Sequence, residues 1–516
     1  MIALAPLRGS LPGLEYLAGT TAAASRSSAV IAFGEAETID PAAAVDAGSS
    51  ALIAQLFESL TTVDSTLTVQ PALAQSWETL DLGKRVVFHL RQNLTFSDGS
   101  SLTGTDVVRS WLRVLDPAHP SPLSALFADV EGATAYSTGK SSGSDSVGIK
   151  ATGSGNLDVE IRLTRATTEL PAIVASPTFA IVPISPRGGL GFPGGTFVGS
   201  GGYLLSKVGI DGYTLTANSH YWAGTASIRT ISAKFDLGSA GPVQAFIDGD
   251  VDWTSIASGS ASWIAWDRDL GPSLRHSGSL STEYLGFNTT TAPFNDVRVR
   301  QAFSKAVDWA RIVALGYGGA ADPATSMVPT GIPGRATTSF LPVLDLAAAR
   351  SLLKAAGYPN GTGFPAVTLQ TTGGAFDAAI AAQLEKNLGV SVTVESYAFG
   401  TFFDRISNAK LWTMSWVADY PGPNDFLGLL LGSGETNNYG GWRSAAFDTA
   451  IAEARAASTA AEARAAYDRA ETIVRDEAPV VPIGYPTSWS LSRSGLLGAG
   501  ENGLGFIRLA GLAWGS

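Results

Sequence analysis

The chain has 516 residues, 45% of them hydrophobic and 15% charged, a composition typical of a globular protein of a few domains rather than of a disordered chain. Its net charge of −11 argues against nucleic acid as a partner, because phosphate binding requires clustered Lys and Arg. The absence of cysteine excludes disulfides, thiolate nucleophiles and a lipid-modified N-terminal cysteine. The four histidines lack metal-ligand spacing, so we expect no metal site and no cofactor.

The first 28 residues are a poor signal peptide. Pro12 and Glu15 interrupt the stretch that should be the apolar core of such a signal. We therefore expect a disordered segment over residues 1–28, with no clear signal peptide and no lipobox cysteine. No apolar run in the sequence is long enough to span a bilayer.

Strands and helices alternate along the first half of the chain. Period-two patterns predict strands within 29–41, at 85–91 and at 157–163, and a hairpin that turns at Ile210–Asp211–Gly212. A helix is predicted at 50–60, and another follows Thr103, which forms a capping box with Asp106. The Ser- and Gly-rich stretch 137–156 predicts an exposed loop.

The second half of the chain is richer in helix. The periodicity predicts one long helix over 296–315 with Asn295 as its N-cap, and a second helix that begins after Asp345. Thr459 and Glu462 form a further capping box. The alternation of helices and strands predicts an α/β or α+β protein with more than one lobe and no internal repeat.

No catalytic motif survives inspection. The stretch "GLGFPG" at 189–194 matches a dinucleotide fingerprint but contains Pro193 and lacks the flanking strand and helix. The Gly-Lys-Ser at 139–141 lacks the first glycine of a P-loop, and no G-x-S-x-G elbow occurs. We therefore predict no catalytic residues and no enzyme activity. A hydrolase site assembled from distant acids is the less favoured alternative.

One acid has an unusual setting. In "TMSWVADYPGPNDF" (413–426), the carboxylate of Asp419 lies between a strand-like apolar run and a Pro-rich turn. Two interpretations are open. Asp419 is either a fixed anion for a cationic ligand, because a desolvated carboxylate gains charge-assisted hydrogen bonds from an ammonium group, or a strand-end acid that caps the turn.

Six stretches in one order carry a family resemblance. They are "LTFSDGSSLTGTDVVRSWLRVLDP", "GSGGYLLSK…YTLTANSHYWAG", "EYLGFNTTTAPFNDVRVRQAFSKAVDWARIV", "ARSLLKAAGYPNGTG", "WVADYPGPNDF" and "DEAPVVPIGYPTSW". Together they resemble the solute-binding proteins of ABC importers, family 5, which are the oligopeptide- and dipeptide-binding proteins. The resemblance runs from about residue 29 to the C-terminus. One departure is Gly202, which stands where the family usually has proline.

The resemblance implies a two-lobed α/β fold of the periplasmic-binding-protein type (type II, large cluster with an extra inserted domain) that closes around ligand by hinge motion. Motif order places lobe I at 29–64, 187–284 and 487–516, the inserted domain at 65–186 and lobe II at 285–486.

The resemblance also implies binding residues. Asp419 occupies the position of the acid in the family's Trp-x-x-Asp-Tyr motif, which binds the ligand's α-amino group in peptide-binding members. The backbone of Ser415 and Val417 is expected to pair with an extended peptide, and Trp416 to supply an apolar wall. Four further residues are expected at the cleft: Tyr420, Asn288, Tyr284 and Phe399. Arg298 and Arg300 are expected to make structural ion pairs instead.

The function that the resemblance implies is an extracytoplasmic receptor, periplasmic or extracellular, that delivers peptides to the membrane permease of an ABC importer and is itself a monomer. Within the family, the alternative is the same fold with another solute, such as an oligosaccharide, an opine or a chelated metal. A purely structural surface protein, without an enclosed cleft, is an alternative from another class.

Overall fold

The computed structural model describes residues 26–515, except for 45, 65, 120, 142, 184–189, 191, 193–196, 240, 319–320, 338–342, 375, 502 and 506. Most of the segment 1–28 and most of the "GLGFPG" stretch therefore lie outside the described residues. The last residues of the predicted disordered segment are held in place. Arg26 donates two hydrogen bonds of 2.8 and 2.7 Å to the carboxylate of Asp252, and the first strand begins at Ser28.

One sheet of twelve strands runs through most of the molecule. Ten of its strands follow each other in the spatial order Val392–Ser396, Val367–Thr371, Leu411–Val417, Ser281–Phe287, Val480–Ser492, Trp253–Ile256, Ser28–Ala32, Thr230–Lys234, Gly212–Ala217 and Tyr203–Val208. The remaining two, Leu274–Gly278 and Ala321–Pro323, pair with Val480–Ser492. The last two strands of the path form the predicted hairpin.

The 13-residue strand Val480–Ser492 joins two halves of this sheet. Residues 480–484 pair with Ser281–Phe287, and residues 489–492 pair with Trp253–Ile256. We call the part from Trp253–Ile256 to Tyr203–Val208 the first half-sheet, and the part from Ser281–Phe287 to Val392–Ser396 the second half-sheet. Each half-sheet has its own apolar core, as two separate lobes require.

A separate four-stranded sheet lies within residues 74–162. Its spatial order is Ala74–Leu80, Arg85–Leu90, Asp158–Arg162 and Ile149–Thr152. The strand Ile149–Thr152 corrects the prediction of a loop over 137–156. The pattern of that stretch is weak because only Ile149 and Ala151 alternate inward, and pairing with Asp158–Arg162 supplies the rest. Two short two-stranded ladders complete the strands, Thr61–Val63 with Val69–Pro71 and Leu496–Leu497 with Ala513–Trp514.

The core of this region is centred on Trp111, whose ring meets the rings of Phe88, Phe127 and Phe179 at centroid distances of 5.3–6.5 Å. Several polar contacts tie the region to residues 40–61. They include Arg113 with Asp40 at 2.6 Å and the Thr61 hydroxyl with the carbonyl of Pro171, also at 2.6 Å.

Helices cover both half-sheets and the small sheet. The α-helices are Ala47–Leu56, Gly104–Val114, Ala133–Ser137, Leu170–Ile173, Gly241–Asp248, Ser258–Ile264, Val297–Lys305, Trp309–Gly316, Leu346–Ala355, Asp377–Leu388, Phe399–Ile406, Pro423–Phe426, Gly428–Leu431, Ala445–Arg455 and Ala460–Glu477. Among the described residues, no helix has the length and apolarity needed to cross a membrane.

Capping residues fix several helix ends as the sequence predicts. Both capping boxes, Thr103 with Asp106 and Thr459 with Glu462, are present, and the Asp345 side chain accepts a hydrogen bond at the start of its helix. The Thr459 hydroxyl accepts from the amide of Glu462 at 3.2 Å. Local signals of this kind need no tertiary information, because both partners lie within one turn.

The long helix predicted over 296–315 is wrong in two respects. The structure has two helices, because the Asp308 side chain accepts from the amide of Arg311 and caps a new helix. The first helix is capped by Asp296 rather than by Asn295. Apolar periodicity alone does not report such a break, because a mid-pattern Asp can cap a new helix as well as continue the old one.

The two arginines after this cap have structural roles. Arg298 forms the expected ion pair, with its guanidinium 2.6 Å from the carboxylate of Asp296. Arg300 is buried and donates to the carbonyls of Phe294, Glu477 and Ala478 instead of pairing with an acid. The prediction of an ion pair for Arg300 is therefore corrected, whereas its structural role is retained.

Candidate ligand-binding site

The site begins with a strand that has an open edge. Leu411–Val417 pairs along its whole length with Ser281–Phe287 on one side. On its other side it pairs with Val367–Thr371 only at Leu411 and Trp412. Residues 413–417 have no strand partner on that side within the described part of the chain, so their edge is open to an added strand. Val417 is 59% exposed, Ser415 is also exposed and Trp416 is half-buried.

Asp419 follows this strand directly and is half-buried. Its carboxylate accepts no hydrogen bond from any described residue. Burial raises the pKa of Asp419 from an ordinary value of 3.8 to about 6. The alternative in which Asp419 caps the turn is not what this geometry shows, because its side chain has no bond to the turn. The group is a desolvated and uncompensated acid, as a site for a cation requires.

A second carboxyl group lies beside Asp419. Asp425 is 0% exposed, and its Oδ2 accepts from the indole N–H of Trp416 at 2.9 Å and from the backbone N–H of Asp419 at 3.3 Å. Its Oδ1 is buried and has no partner among the described residues. Burial, followed by the negative charge of Asp419, raises the pKa of Asp425 well above its usual range. The expectation of a single acid at this point is corrected: two carboxyl groups share the site, and Asp425 retains a proton at neutral pH.

A third buried acid holds the turn that follows. Glu169 accepts from the hydroxyls of Tyr420 and Tyr467, each at 2.7 Å, and from the amide of Asn424 at 3.3 Å. Burial raises the pKa of Glu169. The predicted ligand contact Tyr420 is 1% exposed and donates its hydroxyl to this acid, so the structure places it beneath the site rather than at its surface. Glu169 thereby connects the region of the small sheet to residues 420–467.

The structure does not bring all predicted site residues together. Tyr284 is 2% exposed and packs in a core with Met414. Asn288 lies at the opposite end of the ladder from Val417, six residues or about 20 Å away at ~3.4 Å per residue. Its Oδ1 accepts from the amide and the hydroxyl of Thr290, at 3.0 and 2.6 Å. The expectation that Asn288 reaches the cleft is therefore corrected, because the chain crosses between the half-sheets at the other end of the strand. Phe399 begins the helix Phe399–Ile406, but its side chain lies outside the described residues.

Two functional residues were missed by sequence reasoning, for different reasons. Asp425 stands in the quoted stretch itself, and its spacing from Asp419 across a Pro-Gly-Pro turn is the signal that could have identified it. Glu169 is 251 residues from Tyr420 in the chain, and no local pattern connects the two.

Two half-sheets with separate cores, one joining strand and a desolvated acid beside an open strand edge define a two-lobed ligand-binding protein. The family model "bacterial extracellular solute-binding proteins, family 5 Middle" matches residues 68–438, and the chain belongs to this family.

Relatives with assigned names are binding proteins. The chain is 31% identical over 468 residues to the probable deoxycholate-binding periplasmic protein YgiS of Escherichia coli, covering 87% of this chain and 86% of that protein. It is 29% identical over 486 residues to the periplasmic murein peptide-binding protein MppA of the same organism, covering 90% and 88%. The unliganded open form of MppA has the same fold, with a TM-score of 0.81, 26% identity and coverage of 95% and 97%.

Proposed function

We propose that this protein is the extracytoplasmic receptor of an ABC importer, which binds peptides between its two lobes and delivers them to the membrane permease without chemistry of its own. The named relatives include a murein peptide-binding protein and several oligopeptide-binding proteins. Because those relatives are described as periplasmic or are receptors of transport systems, we place this protein outside the cytoplasm, working as a monomer with the permease as its protein partner.

The observation that carries the proposal is the unpartnered carboxylate of Asp419 next to an open strand edge. A ligand ammonium replaces the water that the carboxylate loses on closure and forms charge-assisted hydrogen bonds with it. The neighbouring Asp425, which remains protonated, adds hydrogen-bonding capacity without a second negative charge. The pair therefore suits one cationic group, such as a peptide α-amino group.

The backbone after Thr413 supplies the second element of recognition. An extended peptide that adds to the open edge receives main-chain hydrogen bonds from Ser415 and Val417, which hold peptides irrespective of their side chains. The ring of Trp416 is fixed by its bond to Asp425 and forms an apolar wall beside the ligand.

Hinge closure completes the site. We assign lobe I to residues 29–64, 187–284 and 487–516, the inserted domain to 65–186 and lobe II to 285–486. The strand Val480–Ser492, which pairs with both half-sheets, is then one of the connections that closure must bend. The similarity to an unliganded open form indicates that the present arrangement is the one that receives ligand.

Another solute is the main alternative. Within the family fold this could be an oligosaccharide, an opine or a chelated metal, and the relative at 31% identity is named for deoxycholate, a carboxylate anion. The acid pair at Asp419 and Asp425 disfavours an anion, since like charges in a desolvated site repel each other strongly. It favours a ligand with an amine over a sugar.

Native mass spectrometry of the purified protein will show whether a ligand co-purifies. Calorimetric titration with trialanine, N-acetyl-trialanine, deoxycholate and maltotriose then separates the ligand classes. We expect binding of trialanine, with weaker binding of its acetylated form because that ligand has no cation. Tighter binding of deoxycholate or maltotriose than of trialanine would overturn the peptide assignment.

A further inference from the structure

A large cavity lies on the first half-sheet, apart from Asp419. It has a volume of about 580 Å³ and is bordered by the carboxyl end of Ser28–Ala32 and by the neighbouring parallel strand Trp253–Ile256. Residues at the start of the helix Ala47–Leu56 and residues 487–489 of the joining strand complete its wall. In open α/β sheets, ligands bind in the crevice outside the carboxyl ends of parallel strands. The cavity is therefore where this sheet is expected to take a ligand group.

The wall of the cavity combines aromatic rings with one buried acid. The rings are those of Phe33, Trp253 and Trp489, and the acid is Glu501, which is 6% exposed. Burial raises the pKa of Glu501 to about 7, although a hydrogen bond from the Ser488 side chain opposes the shift. An acid flanked by indole rings suits a cation on a long apolar stem, because guanidinium and ammonium groups are attracted both to carboxylates and to ring faces.

A second observation also points to a missing ligand group. The indole N–H of Trp253 is a buried donor with no acceptor in the described part of the structure, although the residue is only 5% exposed. Buried donors are nearly always paired, and an unpaired one in a cavity wall indicates an acceptor that is supplied by water or ligand. A peptide ligand carries such an acceptor in each of its carbonyl groups.

The cavity is connected to the Asp419 site by two hydrogen bonds. The carbonyl of Gly503, two residues after Glu501, accepts from the amide of Leu280 at 2.9 Å. The carbonyl of Leu280 accepts from the amide of Ala418 at 2.8 Å, and Ala418 precedes Asp419. A ligand whose amine is held by Asp419 therefore has the cavity nearby on the facing half-sheet.

We propose that this cavity is a specificity subsite that takes the arginine or lysine side chain of the ligand peptide, with Glu501 as its counter-ion and the rings of Trp253 and Trp489 along its stem. The proposal rests on the proposed function, in that it assigns the ligand a basic residue in addition to the free amine at Asp419. The receptor then selects basic peptides among those that its strand edge can hold.

The test uses arginine and citrulline, which have nearly the same shape but differ in charge. Three tripeptides carry arginine at the first, second or third position and alanine elsewhere, and three more carry citrulline instead. We expect the wild-type protein to prefer arginine to citrulline about tenfold or more at one of the positions, the usual scale of a hydrogen bond to a charged group. In Glu501→Gln the two ligands should bind equally at that position, as measured by calorimetry.

Glu471→Gln is the matched control, because Glu471 is also a fully buried glutamate but lies against the Ser326 hydroxyl, away from the cavity. It should retain the preference for arginine. A ratio near one at every position in the wild-type protein, or a ratio that survives Glu501→Gln, would overturn the subsite.

Acetylation of the same peptides separates the two proposals. If acetylated and free peptides bind equally while the arginine preference still depends on Glu501, the role of Asp419 fails and the subsite stands. If acetylation weakens binding but citrulline serves as well as arginine, the subsite fails and the role of Asp419 stands. If none of the peptides binds at millimolar concentration, both are wrong.

Discussion

Asp419→Asn retains the shape of the side chain and removes its charge, so it tests the role of this acid directly. In the empty protein the rise in pKa from 3.8 to about 6 is roughly two units, which makes the ionised form at pH 7 unfavourable by about 3 kcal/mol. Removing the charge relieves this cost. We therefore expect the empty variant to be more stable than the wild-type protein, by up to about 3 kcal/mol in urea unfolding.

Ligand binding should change in the opposite direction. A peptide with a free amine should lose roughly 1.5–3 kcal/mol of binding free energy in Asp419→Asn, the scale of a hydrogen bond to a charged group. The N-acetylated peptide should lose much less, because it has no ammonium group for the carboxylate to hold. Calorimetric titration at pH 7.5 of both variants with both peptides gives the four affinities.

Asp425→Asn is the matched control in the same site. Since Asp425 retains its proton at neutral pH, an amide in its place alters no charge, and the preference for the free amine should remain. Equal weakening of free and acetylated peptides by Asp419→Asn would refute the reasoning. A loss of stability near 1 kcal/mol with unchanged affinity, as expected for a broken local hydrogen bond, would identify Asp419 as a turn acid.

Three further predictions concern the whole molecule. Burial raises the pKa of four carboxyl groups to about 6 or 7, so the stability that they allow is complete below their ordinary pKa values and decreases as the pH rises to 7, the four being Asp419, Glu283, Glu471 and Glu501. In thermal denaturation, Glu471→Gln should therefore gain more over the wild-type protein at pH 8 than at pH 5, and an equal difference at both would contradict this. Tyr467→Phe removes one of the donors to buried Glu169 and should cost about 1–3 kcal/mol in urea unfolding, whereas a neutral result would show that the acid is satisfied without it. Saturating peptide should reduce the radius of gyration in small-angle scattering and, at a hundredfold excess over Kd, stabilise the protein by about 2.7 kcal/mol, and an unchanged radius would argue against hinge closure.

Local signals in the sequence determined much of the secondary structure. The capping boxes at Thr103 and Thr459 and the hairpin around Asp211 were predicted because each depends on residues within a few positions of one another. The same reasoning failed over 296–315, where the apolar period continues but Asp308 begins a new helix. Composition was equally informative, since the absence of cysteine and the acidic balance exclude whole classes of chemistry.

The candidate site was only partly accessible in this way. The position of Asp419 follows from its motif, but the state of its carboxyl group does not. Its raised pKa comes from burial, and its proximity to Asp425 comes from the fold of the Pro-rich turn. Asn288 illustrates the opposite case. It stands in a specific motif, yet the antiparallel register of its strand places it at the far end of the ladder.

The tertiary structure alone decided which distant residues meet. Glu169 binds Tyr420 and Tyr467 across more than 250 residues of chain, and the cavity at Glu501 is built from segments near residues 33, 253 and 489. Such contacts leave no periodic trace in the sequence, because they depend on strand order and on the packing of separate segments rather than on spacing along the chain. The sequence therefore determined the elements and the class of protein, whereas the fold decided the charge state of the site and the extent of its walls.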